Sequence, residues 1–181
     1  RRAGTTYEGL VLNEKGYERA LAARVDEVHY AMSATDEFGR RNQNATTDEG
    51  IKTALALVRR ARADGIPITV TVSVAFGCPF EGPVPAKRVL DIIERLMEDP
   101  ADEISVADTI GVGVPLQVKE LVGGARRLGA TVGAHFHNTR NTGYANAVAA
   151  LDEGVVSLDA SVGGAGGCPF APKATGTIAT E

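Results

Sequence analysis

Two histidines set two apart, in Ala134-His135-Phe136-His137-Asn138, and a cysteine among glycines, in Gly166-Gly167-Cys168-Pro169-Phe170, are the residues whose types and spacing suit chemistry. On a β-strand, residues two apart project to the same face, so His135 and His137 would stand side by side with Phe136 packed behind them. Paired imidazoles are half of a metal site, and the chain has only three histidines from which to make such a pair. The same spacing also suits two strand histidines hydrogen-bonded to backbone, and at this point both readings stand.

The segments around these residues have the rhythm of parallel βα units: runs rich in Val, Ile and Thr alternate with runs of helical period. Strands are expected over 7–12, 25–33, 68–75, 103–107, 131–137 and 155–161. Helices are expected over 13–23, 47–63, 85–98, 115–129 and from about Gly143 to Leu151. Thr46-Thr47-Asp48-Glu49 reads as a capping box and Gly65 as a stop, while Pro85 and Pro115 mark helix entries. Residues 35–45 are expected as a polar loop. Ile68 to Val72 and Val155 to Leu158 are apolar enough to be covered on both faces. There is no strand-Gly-x-Gly-x-x-Gly-helix sequence; Gly111-Val112-Gly113 reads as a plain turn.

Composition excludes several classes of function. A net charge of -4 and a pI near 5.5 offer no basic face for nucleic acid. No apolar run approaches the ~20 residues of a membrane span. Two cysteines, Cys78 and Cys168, each in a Gly-Cys-Pro-Phe context, do not make a disulfide framework, so a reducing cytoplasm is the expected setting. The polar residues Ser33, Cys78, Asp108, His135, His137 and Cys168 fall at or just past the carboxyl ends of expected strands, where parallel α/β folds place their chemistry.

Four motifs in order carry a family resemblance: Phe76-Gly77-Cys78-Pro79-Phe80-Glu81-Gly82, Glu103 to Gly113 with its Ala107-Asp108-Thr109-Ile110-Gly111, His135-Phe136-His137-Asn138-Thr139, and Gly163 to Phe170. Together they resemble the 3-hydroxy-3-methylglutaryl-CoA lyase family of metal-dependent barrel enzymes. Ser33 with Arg40, Arg41 and Asn42 adds a weaker match. The related isopropylmalate, homocitrate and citramalate synthases share the His-x-His strand, but carry a Gly-Glu-Arg type of loop where this chain has Gly-Gly-Cys-Pro-Phe.

The resemblance implies a partial (β/α) TIM barrel of about six parallel strands forming one domain over 1–181, and an acyl-CoA substrate cleaved between carbons by a retro-Claisen step. It further implies a divalent cation, magnesium or manganese, on His135 and His137, with an aspartate ligand yet to be found. Cys168 is implied as acid or proton shuttle and Asp108 as an acid/base residue beside the metal. Ser33, Asn42, Ser105 and Arg140 are taken as substrate-binding, with Lys173, Arg40 and Arg41 as further cationic candidates or solvated surface charges. Cys78 is expected to be structural, and His29 a satisfied strand histidine.

Three departures accompany the resemblance. No Arg-Asp strand precedes Tyr7, Thr177 stands where the family has an asparagine ligand, and the chain stops at Glu181. A hydroxyl is a poorer oxygen donor than an amide carbonyl, so weaker cation binding is expected. The chain is therefore expected to be a fragment of reduced activity whose open sheet edges are capped by another copy, giving a homo-oligomer. The alternatives are a condensing synthase of the same superfamily, a non-catalytic fragment, and a two-His, one-carboxylate iron oxygenase using Asp108.

Overall fold

A computed structural model describes residues 1–171 and 175–181. The order of elements is β1 (Glu8–Val11), α1 (Glu14–Ala22), β2 (Glu27–Ser33), α2 (Asp36–Gln43), α3 (Thr47–Asp64) and β3 (Ile68–Ser73). A short antiparallel hairpin follows, β4 (Gly77–Cys78) with β5 (Gly82–Pro83), and then α4 (Ala86–Leu96), β6 (Glu103–Asp108) and α5 (Pro115–Arg127). The chain ends with β7 (Val132–Phe136), α6 (Gly143–Asp152), β8 (Ser157–Asp159) and a 3-10 turn (Val162–Gly164). No described helix is long and apolar enough to cross a membrane.

Local chemistry accounts for the helix limits. Asn13 caps α1 by accepting from the Gly16 amide at 2.9 Å. The expected box at α3 is present: the Thr46 hydroxyl accepts from the Glu49 amide at 3.2 Å, and the Thr46 amide donates to the Glu49 carboxylate at 2.7 Å. Gly65 ends that helix at φ +68°, a left-handed position that glycine takes without strain.

Six strands form one parallel sheet in the order β1-β2-β3-β6-β7-β8, each joined to the next by a helical crossover. Residues of β1 and of β8, at opposite edges, line one cavity, so the sheet is curled into an open barrel wall. Its convex face carries Val28, Tyr30, Met32, Val70, Val106 and Phe136, all buried against the helices. Its concave face carries Glu27, His29, Thr69, Thr71, Ser105, His135, Ser157 and Asp159. The expected partial barrel of six parallel strands is what the chain forms.

Three local expectations are corrected. Residues 35–45 are not a loop: they hold α2, whose only buried residues are Phe38 and Gly39. This helix has almost no apolar period, and is held from outside: Phe38 lies 6.2 Å from the Phe80 ring and the Arg41 guanidinium 4.2 Å above it, while the Glu37 amide donates to Glu81 at 2.9 Å. The loop through Gly82 contains the β4–β5 hairpin. Finally, β8 is an edge strand instead of a doubly covered one, with Val156 beside it 64% exposed.

Gly133 shows how tightly the concave face is packed. It lies between Ser105 and Ser157 in register, and the Ser157 hydroxyl donates to Glu103 at 2.5 Å across the space its absent side chain leaves. A β-carbon there would overlap both the Glu103 carboxylate and the Ser157 hydroxyl. Gly133→Ala is expected to lose about 1–3 kcal/mol of stability by overpacking. A urea midpoint equal to that of the parent chain would contradict this.

Candidate active site

The paired imidazoles meet as their spacing predicts, with ring centroids 5.1 Å apart and planes inclined at 52°. His135 belongs to β7, where its register partner on β8 is Asp159, and its Nδ1 lies 3.0 Å from the Asp159 carboxylate. His137 stands one residue beyond β7, bridged to Thr177, with its Nδ1 2.6 Å from the Thr175 carbonyl. A carbonyl and an ionised carboxylate only accept hydrogen bonds, so each Nδ1 carries a proton, and in the neutral ring Nε2 keeps its lone pair. Among the described residues neither Nε2 has a protein partner.

Burial pushes the His137 imidazole below its ordinary pKa and so favours the neutral ring, outweighing the Thr175 hydrogen bond, which favours the charged one. Burial also acts to raise Asp159, but the hydrogen bond and charge of His135, helped by His29, prevail and hold the carboxyl below its ordinary value. The cavity they face has a volume of about 770 Å³, and Asn42, Cys168, Asp159, Ser161 and Thr177 share its lining with both imidazoles. The Ser161 and Thr177 hydroxyls are 2.7 Å apart.

This donor chemistry fits two ligand positions of a divalent cation. Metal-binding imidazoles usually donate their second N–H to a carboxylate or carbonyl, which is the arrangement of both rings here. Among the described residues, no other His, Cys, Asp or Glu joins them to make a group of three.

The other proposed site residues divide between the cavity and elsewhere. Cys168 and Asn42 line it; Ser33, Ser105, Asp108 and Arg140 do not. Ser33 closes a local turn, donating to the Thr35 carbonyl at 2.8 Å and accepting from its amide at 3.1 Å. Ser105 is buried within the strand layer and Arg140 is exposed. Arg40 and Arg41 pair along α2 with Asp36 and Glu37, and Lys173 lies outside the described residues. Cys78 is buried, its Sγ accepting from the Thr35 hydroxyl at 3.2 Å. His29 is held by Glu8 and the Thr71 hydroxyl.

Asp108 is the clearest departure from the expected site. Alternation turns it to the convex side with Val106, where it is fully buried and accepts from the Val112 amide at 3.0 Å and the Gly113 amide at 2.9 Å. Burial raises its pKa, against the pull of those amides. Its place is that of an anchor for the loop after β6. Conversely, Asp159 is a cavity residue that none of the motifs singles out; its signal in the sequence is the period-two set Ser157, Asp159, Ser161, which puts a carboxylate on the histidine face.

A curled parallel βα wall with two imidazoles and a thiol opening on one cavity at the strand ends is the architecture of a partial (β/α) barrel with its polar residues gathered at the rim. The HMGL-like family model matches residues 6–181, and the chain belongs to that family. It is 45% identical to the (R)-citramalyl-CoA lyase of Chloroflexus aurantiacus over 97% of its length and 38% identical to the hydroxymethylglutaryl-CoA lyase of Bacillus subtilis over 100%. It spans 56% and 61% of the lengths of those two relatives. An HMG-CoA lyase from Acinetobacter baumannii, solved in complex with coenzyme A and 3-methylmalate, superposes with a TM-score of 0.92 at 35% identity, covering 99% of this chain and 59% of that one.

If Asp108 anchors the loop, Asp108→Ala leaves two amides without their acceptor, at a cost of about 1–3 kcal/mol for each one that stays buried. Hydrogen exchange at Val112 and Gly113 is expected to accelerate. Unchanged exchange at both amides would contradict the anchoring role.

Proposed function

We propose that this chain carries the cation and thiol half of an acyl-CoA lyase site, which cleaves a β-hydroxy acyl thioester of the 3-hydroxy-3-methylglutaryl-CoA or citramalyl-CoA type into a keto product and acetyl-CoA. The observation that carries it is the sharing of one cavity by His135, His137 and Cys168 in a chain of this family. His135 and His137 would hold a divalent cation, magnesium or manganese. Such a cation, when bound, supplies Lewis acidity toward the hydroxyl and carbonyl oxygens of the substrate.

Of the remaining steps, this chain's Cys168 serves the protonation of the product enolate. The hydroxyl proton leaves to a base, the bond between the carbinol carbon and the thioester α-carbon breaks, and the electron pair passes into the thioester enolate. The Cys168 thiol then delivers its proton to that α-carbon, giving acetyl-CoA and a thiolate that is reprotonated before the next cycle. The Asn42 amide, on the same cavity wall, offers both a donor and an acceptor to the acyl chain. The relatives' names support both thioesters, and the coenzyme A bound to the Acinetobacter enzyme supports an acyl-CoA substrate.

Isothermal titration with Mn²⁺ and then with each thioester tests this function. His135→Ala and His137→Ala are each expected to weaken Mn²⁺ binding at least 10-fold, and Mn²⁺ to strengthen binding of one thioester. Acetyl-CoA release from that thioester is expected to fall about 10²-fold or more in Cys168→Ser. Mn²⁺ binding indifferent to both histidines would sink the proposal.

The homo-oligomer belongs to the same proposal. β1 and β8 are the edges of the described sheet, so pairing with a second copy would cover their unpaired backbone groups. Light scattering after size exclusion is expected to give a dimer or larger; a monomer at every concentration would exclude it.

A further inference from the structure

We infer that Asp159 is a positioning residue which fixes the tautomer and orientation of His135 and thereby sets the affinity of the imidazole pair for a cation. The inference rests on the cation-binding role proposed for His135 and His137, and adds to it a residue that takes no part in ligation. Parallel pairing of β7 with β8 makes His135 and Asp159 register neighbours, so both side chains leave the sheet on its concave face. The contact of 3.0 Å joins Nδ1 to a carboxylate oxygen, with the His135 side chain 26% exposed and that of Asp159 42% exposed.

Neutral imidazole in water favours the proton on Nε2, which would leave no lone pair there for a metal. The carboxylate reverses that preference by offering Nδ1–H an acceptor. Backbone pairing holds the acceptor in place: His135 is in β7 and Asp159 in β8, so neither Cα is carried by a loop. His137 is supported differently, by a main-chain carbonyl. Asp159 is therefore the one side chain among the described residues whose replacement would release an imidazole of the pair without touching either ring.

The test reads the tautomer first. Long-range ¹H–¹⁵N correlation under mildly alkaline conditions, with peaks assigned through His29→Gln and His135→Gln, is expected to show His135 as the Nδ1–H form in the parent chain. Asp159→Ala is expected to shift it to the Nε2–H form and to weaken Co²⁺ binding, followed by visible absorption, about 10–100-fold. Asp159→Asn, which keeps an acceptor oxygen, is expected to retain the Nδ1–H form and restore much of the affinity. An Nε2–H ring in the parent chain, or Asp159→Ala with unaltered tautomer and affinity, would overturn the inference. If the parent chain binds no Co²⁺ through its histidines, the cation role fails; the tautomer comparison alone then decides whether Asp159 fixes the ring.

Discussion

The burial of Phe136 is the constraint on which the site depends. Its ring is completely excluded from solvent on the convex side of the sheet, 6.1 Å from that of Phe76, and alternation then obliges His135 and His137 to face the cavity. A slip of β7 by one residue would put Phe136 on the polar concave face and two imidazoles into the apolar layer. Each would then lose its partner, so the register that is cheapest for the core is also the one that builds the site.

Rigid strands account for only part of the geometry; buried polar contacts just past the strand ends account for the rest. Asp108 fixes the turn after β6, and Ser33, Thr35 and Cys78 tie the end of β2 to the hairpin after β3. These contacts sit behind the cavity wall and are not offered to a ligand. They explain why sequence positions that resemble site residues can be buried away from the cavity: a loop carrying chemistry needs its own internal scaffold.

How far the sequence could be read follows from where the signal lies. Period-two apolar runs, the Thr46 box and the prolines at helix entries are local signals, and the strands and main helices they predict are present. Helix α2 was hidden because its stability comes from Phe80, Glu81 and the hairpin, all more than thirty residues away in the chain. Among site residues, His135, His137, Cys168 and Asn42 share the cavity as their motifs suggested. Asp108 was misplaced because a strand-end position fixes the rim but not the face; only counting alternation from Val106 separates a carboxylate that meets substrate from one that holds backbone. Asp159 escaped because its partner lies on a neighbouring strand, and register between strands is not written in either one alone.

The two imidazoles differ in how exposed their support is to sequence change. His137 leans on the Thr175 carbonyl, and its strand end is tied to the returning chain by the Asn138 amide to the Gly176 carbonyl at 3.1 Å and the Ile178 amide to the Phe136 carbonyl at 3.1 Å. All of these acceptors are main-chain atoms, present whatever side chain occupies the position. His135 leans on a carboxylate that one base change can remove. The pair therefore combines one ring whose support follows from the backbone path with one whose support follows from a single side chain. Single substitutions beyond the rings can therefore disturb the proposed cation site much more readily through its His135 side than through its His137 side.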